Sequence, residues 1–358
     1  MEWEWEPSRK DNKKERKSAQ AGDRSRFKKT DLDKKKEVPI PEDLPRGRVT
    51  CVRSDEVDVL LEGGKVIRCT VRGGLRKEDS VNKRVVVVGD WIRYAPGEET
   101  TGTIMAVEPR ATTLTRAEHF LRRKRQVVAA NIDQVAIVMS VGIPALKPAL
   151  IDRFLIAADK GGLRPLLLFT KVDLVKDYPD QAELLAELVG LYRGLGVAVV
   201  EWSMEGHMGL DQLLKELQGR TTVFSGQSGV GKSSIISMLT GRELRTASII
   251  EATRKGQHTT SQAQMISLPL GGSVIDTPGL RSFGVWALGP EEVQSYFPEI
   301  VEAAQSCRYR DCTHSVEPDC GVLKALEEGR ISDLRYDSYR TLRQGEGIRD
   351  LLDWLEAE

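Results

Sequence analysis

Between Gly47 and about Pro109 short β-rich runs recur: RVTCV, VDVLLE, KVIRCTV, KRVVVV, WIRYA and GTIMAVE. Gly63-Gly64, Gly73-Gly74 and charged pairs separate them. Five or six short strands at this spacing predict a small antiparallel barrel. An OB fold is preferred, and strand number alone does not separate it from an SH3-like barrel. From Gln126 the texture changes to continuous apolar runs alternating with helical segments. DQVAIVMSV, RPLLLFT, VAVVEWS and TTVFSG read as buried parallel strands, with helices around Ile151 to Lys160, Gln181 to Leu191 and Leu210 to Leu217. Such alternation marks a doubly wound α/β sheet, whose ligand chemistry belongs at the carboxyl ends of the strands. After about Pro290 strand patterns stop, and Val322 to Leu355 carries apolar residues at helical spacing. A small helical terminal domain is expected there.

Composition refines this picture. A chain of 358 residues, 40% hydrophobic and 30% charged, suits two or three globular domains. No apolar stretch approaches the roughly 20 residues of a membrane-spanning helix, and the amino terminus has no apolar signal core, so the expected compartment is the cytoplasm. Basic and acidic residues balance at 53 each, which gives no whole-chain reason to expect nucleic acid. From Met1 to about Arg46 charged residues dominate and aliphatic ones are nearly absent, the composition of a mobile tail. Arg116, Arg122, Arg123, Lys124 and Arg125 face only Glu118 as a local acid. That stretch reads as a solvated helical or linker surface or as a contact to RNA phosphates. Five cysteines are too few for a disulfide scaffold, and three of them crowd into the fourteen residues from Cys307 to Cys320.

The strongest motif is Gly226-Gln227-Ser228-Gly229-Val230-Gly231-Lys232-Ser233, which follows the strand TTVFSG and precedes a helix opened by Ser234. Glycines there let backbone amides wrap phosphates, the helix terminus favours negative charge, Lys232 reaches the terminal phosphates, and Ser233 can ligate Mg²⁺. Downstream, Asp276-Thr-Pro-Gly279 ends a buried strand. Asp276 is positioned to hold magnesium through water and Gly279 to meet a γ-phosphate. Between them lies Lys255-Gly-Gln-His258-Thr259-Thr260, suited to a switch in which Thr259 or Thr260 supplies a metal contact. Thr170-Lys171-Val172-Asp173 resembles the NKxD guanine-reading motif, with Thr170 replacing asparagine. Asp173 would accept hydrogen bonds from the guanine edge that adenine lacks. Ser203 resembles the small-residue loop behind the base. The base-reading segments precede the phosphate loop, the reverse of the usual GTPase order, so the motifs are circularly permuted.

Cys307, Cys312, His314 and Cys320 form a Cys₃His set that fills a tetrahedral Zn²⁺ shell and leaves no open position, which implies a structural role. With the barrel, the permuted order, GQSGVGKSS, the GxHTT switch and DTPG, this Cys-x4-Cys-x-His-x5-Cys segment resembles the RsgA/YjeQ family over roughly residues 47 to 340. The resemblance implies a GTPase of 30S ribosomal-subunit biogenesis, stimulated by that subunit and acting in late maturation, with its rRNA as partner. The expected partition is a tail at 1–46, an OB barrel at 47–115, a permuted GTPase domain at 126–290 and a zinc-binding helical domain at 291–358. A monomer without membrane contact is expected. Leu280 stands where Ras-like proteins carry the water-orienting glutamine, so slow intrinsic turnover is expected, with His258 as the candidate for positioning water once a partner orders it. A His258 that merely packs locally is the plainer reading. Two further functions compete: an RNA-binding placeholder whose affinity is gated by GTP, and an ATP-specific phosphate-loop enzyme, which Asp173 disfavours.

Overall fold

The computed structural model describes residues 43–53, 56–73, 75, 85–117, 125–241, 263–276 and 289–344. Residues 1–42 of the expected tail, Glu118 to Lys124 of the basic stretch, His258, Thr259, Thr260, Gly279, Leu280 and the end of the last helical pattern lie outside the described residues.

Five strands, β1 (Arg46–Val52), β2 (Val57–Leu60), β3 (Val66–Val71), β4 (Trp91–Pro96) and β5 (Thr101–Val107), close into an OB-like barrel in the order β1-β2-β3-β5-β4, with β4 returning to β1. Closure is antiparallel except for the parallel pair β3–β5. Alternate residues point inward, and Val49, Val57, Val59, Ile67, Cys69, Ile92, Tyr94 and Ile104 form a core of their own. The described part of the run KRVVVV, residues 85–88, departs from its predicted strand: it leads into a turn with a bridge from Val88 to Ala129. The reason is the fully buried Asp90, whose carboxylate accepts the Val87 amide at 2.8 Å and two bonds from Arg110 at 2.7 and 2.8 Å. Gly89 completes the turn at φ 89°, where a Cβ would lie 2.0 Å from the Ala130 carbonyl oxygen. The two ends of the basic stretch also depart from a helix. They pair as β6 (Thr113–Ala117) and β7 (Arg125–Ala130).

The barrel's sheet continues from β1 into β12 (Gln264–Ser267), which runs antiparallel to β13 (Ser273–Asp276), and from there into a parallel part through β13, β11 (Thr221–Gly226), β8 (Gln134–Ser140), β9 (Arg164–Thr170) and β10 (Ala198–Glu201). Helices α1 (Pro148–Lys160), α2 (Pro179–Gly194), α3 (Leu210–Leu217) and α4 (Lys232–Thr240) cover its faces. Each residue of β8 is buried because the strand is covered on both sides. Ile137 and Met139 enter one core with Phe154, Phe169 and Leu188, whereas Ala136 and Val138 enter the other with Leu168, Phe224 and Ile235.

The carboxyl-terminal region comprises α5 (Pro290–Val293), α6 (Pro298–Ala304), α7 (Gly321–Glu327) and α8 (Asp333–Gln344). Its Phe297, Ile300 and Tyr339 share the first of those two cores. Among the described residues the helical pattern from Val322 is two helices, broken after α7 where Gly329 takes φ 70°.

Candidate nucleotide site and metal cluster

Strand order turns outward from β8 to β9 and β10 on one side and from β11 to β13 and β12 on the other. A crevice forms at the carboxyl ends of strands where order reverses in this way. The loop after β11 lies there. Gly226 pairs with Val138, and a Cβ on it would stand 2.2 Å from the Val138 carbonyl oxygen, so only glycine lets β8 and β11 approach. Gly229 and Gly231 take φ 78° and 93°. Gly231 occupies the amino-terminal cap of α4 with no side-chain bond to the first-turn amides. Those amides and the helix dipole favour an anion in front of the helix. Gln227 is buried, Ser228 half-buried, Gly229 exposed and Val230 buried, while Ser233 and Ser234 are half-buried in the first turn. The Lys232 ammonium lies on this loop, 2.7 Å from the Gly226 carbonyl and also bonded to that of Gln227.

Asp276 ends the neighbouring strand β13. Burial pushes its carboxyl above the usual range, and the positive charge of Lys232 pulls the other way. A half-buried acid beside an ammonium is a chemically sound place for a divalent cation, whose charge would hold it ionised.

Across the crevice, Thr170 is fully buried at the end of β9. Its hydroxyl lies 2.7 Å from the Val230 carbonyl and 3.1 Å from that of Met139, so it ties the TKVD segment to the phosphate-loop motif. Lys171 follows in the left-handed region at φ 55° and donates from Nζ to the Ile143 carbonyl at 2.9 Å. Asp173 accepts a hydrogen bond from Ser203 Oγ, which in turn accepts the Glu205 amide at 3.0 Å. Ser203 therefore aims the carboxylate. Thr170, Lys171, Asp173, Val230, Gly231 and Ser234 line one cleft of ≈ 500 Å³ together with Trp202, Met204 and Glu205. Those last three walls escaped the reading of the sequence. Their signal was adjacency to Ser203 alone, which says nothing about which side chains turn inward.

In the carboxyl-terminal region, the ligand atoms of Cys307, Cys312, His314 and Cys320 lie within 4.8 Å of one another and could hold a metal ion. Cys307 and Cys320 sulfurs are 3.8 Å apart, and each is 3.5 Å from His314 Nδ1. The far ring nitrogen, Nε2, is 3.2 Å from Gln294 Oε1, which as a pure acceptor places the proton on Nε2 and leaves the Nδ1 lone pair facing the sulfurs. Burial holds His314 below the usual imidazole range, in the neutral form that binds metals. Backbone amides of Gly321 and Leu323 point at the Cys307 and Cys320 sulfurs at 3.3 and 3.5 Å, an arrangement that favours thiolates. Glu317 stiffens the connecting loop by accepting the amides of Thr313, Ser315 and Val316.

Comparison with known proteins bears on these sites. The sequence model of the RsgA GTPase family matches residues 107–286. A protein of Ectopseudomonas mendocina named small ribosomal subunit biogenesis GTPase RsgA is 41% identical over 291 residues, covering 79% of this chain and 81% of that one. A protein of the same name from Bacteroides fragilis is 37% identical over 285 residues, covering 79% of this chain and 91% of its own. The crystal structure of YjeQ from Thermotoga maritima matches with a TM-score of 0.67 at 33% identity, covering 84% of this chain and 98% of that one. The structure of YloQ, described as a circularly permuted GTPase, matches with a TM-score of 0.65 at 31% identity, covering 86% and 96%. In this chain, as the motif order requires, the loop of β11 follows the TKVD segment.

Proposed function

This chain belongs to the RsgA GTPase family and is a GTP-hydrolysing enzyme, and on that premise we propose that it acts on the small (30S) ribosomal subunit, binding rRNA and assisting late maturation. Hydrolysis converts GTP to GDP and phosphate, and the subunit accelerates it. Asp173, aimed by Ser203, reads the N1–H and N2–H₂ edge of guanine, with Lys171 and Val172 in the same turn. Gly226 through Ser234 wrap the phosphates, with Lys232 on the terminal ones. Ser233 and Asp276, with Thr259 of the switch, would hold Mg²⁺, which when bound neutralises charge on the β- and γ-phosphates. Gly279 meets the γ-phosphate, and His258 orients water. The observation that carries this reading is the Thr170 hydroxyl bridging to Val230: a single side chain couples the base-reading segment to the phosphate loop across one cleft.

Zn²⁺ suits the Cys₃His set. Ligand atoms about 2.0–2.3 Å from a tetrahedral zinc stand roughly 3.5–3.8 Å apart, and the sulfur and nitrogen separations of 3.5 and 3.8 Å fall in that range. All four positions are protein ligands, so the ion serves structure. Cytoplasmic location and a monomeric state complete the proposal. No helix among the described residues is long and apolar enough to cross a membrane.

GTP hydrolysis by the purified chain, with ATP as control, is measured alone, with 30S subunits and with 50S subunits. GTP-specific stimulation by 30S alone is expected. Binding to 30S without stimulation would favour the nucleotide-gated RNA-binding placeholder, and neither binding nor stimulation would remove the ribosomal partner.

A further inference from the structure

Strand β12 follows the switch motif in sequence and runs antiparallel to β13, with Gln264 directly opposite Asp276. On the other side of β12 the barrel strand β1 also pairs antiparallel, and its Cys51 stands opposite the same Gln264. One row of cross-strand partners thus runs from the barrel through Gln264 to the acid proposed for magnesium and the γ-phosphate. Without β1, β12 would be an open sheet edge; the barrel covers it by strand addition.

Opposed residues in an antiparallel pair hold their Cβ atoms about 5 Å apart. A shift of Asp276 is therefore felt at Gln264 and, through the shared backbone pairing, at Cys51. That strand cannot yield alone, because β1 is also paired to β2 and β4 within a closed barrel. A second tie lies away from Gln264 along β1: Arg48 donates to the Asn131 carbonyl at 2.8 Å and to Thr221 Oγ1 at 3.0 Å, at the amino ends of β8 and β11. The barrel is therefore braced at one point near the base of the parallel strands and at another beside the nucleotide crevice.

We propose that β1 makes the barrel a built-in sensor of the γ-phosphate, with Gln264 as the positioning residue that links Cys51 to Asp276. The inference rests on the reading of Asp276 given above. Linkage makes the coupling reciprocal: whatever binds the barrel and loads β1 changes affinity for GTP relative to GDP by the same factor that GTP changes affinity for that partner.

The test uses the full chain with Mg²⁺ and either GDP or GMPPNP, a non-hydrolysable GTP analogue. Calorimetric titration first establishes binding of each. Hydrogen–deuterium exchange then compares β1 with β3, which pairs with β2 and β5 and with neither β1 nor β12. At least a threefold difference in β1 exchange between the two nucleotides is expected, with β3 unchanged. Binding of both nucleotides with identical β1 exchange overturns the sensor and leaves the site reading intact; failure of both to bind removes the site reading and the sensor with it. Gln264→Gly loosens the pairing at the shared residue. It should lower GMPPNP affinity about fivefold relative to GDP, whereas equal loss for both nucleotides would mark Gln264 as merely structural and also overturn the proposal.

Discussion

The α/β domain is joined to its two neighbours in unlike ways. On the carboxyl-terminal side the joint is a shared core: Val293, Phe297, Ile300 and Tyr339 pack in one apolar cluster with Phe154 and Leu188 of the α/β helices. At its centre Arg335, 4% exposed, binds Asp152, 1% exposed, at 2.5 Å and Glu299 at 2.6 Å, with Tyr192 donating to Asp152 at 2.6 Å. Arg335 also lies 4.2 Å above the Phe297 ring. On the barrel side, among the described residues, the barrel keeps its own apolar cluster, and Val52 of β1 is the half-buried side chain that packs against both it and the α/β core. The other ties are polar: the strand edge, the Asn131 side chain donating to the Gly89 carbonyl at 3.0 Å, and Arg48, which is bonded to neutral oxygens and lies near Trp91. Burial pulls Arg48 below its usual range, only partly offset by Asp133, whereas two carboxylates overcome burial and hold Arg335 above it. A buried guanidinium held by two carboxylates locks its elements together, and one resting on carbonyl and hydroxyl oxygens leaves its element freer to respond.

Four perturbations sharpen this contrast. The largest effect is expected from Cys312→Ser or chelation. A structural zinc site contributes on the order of 10 kcal/mol of metal-binding free energy to folding. Elemental analysis should show loss of the ion, and proteolysis should attack residues 305–344 first while the barrel persists. Next comes Arg335→Ala. It strands Asp152 and Glu299 in a buried site and should cost about 3–5 kcal/mol in urea unfolding. Pairing it with Asp152→Ala should return part of that loss, and a strictly additive double variant would show that the two side chains do not interact. Arg48→Ala should cost less, about 1.5–3 kcal/mol, the scale of hydrogen bonds to a charged group. A loss as large as that of Arg335→Ala would erase the contrast between the two joints. Smallest is Thr170→Val, which removes the hydroxyl shared with Val230 and Met139 and should weaken GTP binding by about 1 kcal/mol, roughly fivefold. Preference over ATP should survive, because Asp173 is untouched; collapse of that preference would show that Thr170 takes part in reading the base.

Much of the site was visible in the chain because its chemistry is packed into short segments. The glycines of 226–231 need particular backbone angles within one loop, and Cys307, Cys312, His314 and Cys320 lie close enough in sequence to meet within 4.8 Å. Strand runs of the α/β sheet were legible for a related reason: continuous apolar stretches fit only a sheet covered on both faces. The barrel was less legible. The valines at 85–88 carry high β propensity, yet a buried Asp90 with its Arg110 partner turns them away from the ladder. The two ends of the basic stretch read as helix or linker because the sequence could not show that β6 and β7 would pair with each other.

What the sequence alone determined, then, is whatever depends on neighbours along the chain: backbone angles that only glycine tolerates, ligand spacing, and the burial of each strand. Tertiary structure decided which distant groups became partners. Arg335 meets Asp152 across 183 residues of sequence, and Cys51 reaches Gln264 and through it Asp276. Periodicity reports how many faces of an element are buried and is silent on what buries them. A guanidinium selects its carboxylate, and an open strand edge its partner, only after the sheets and helices have already brought them within reach.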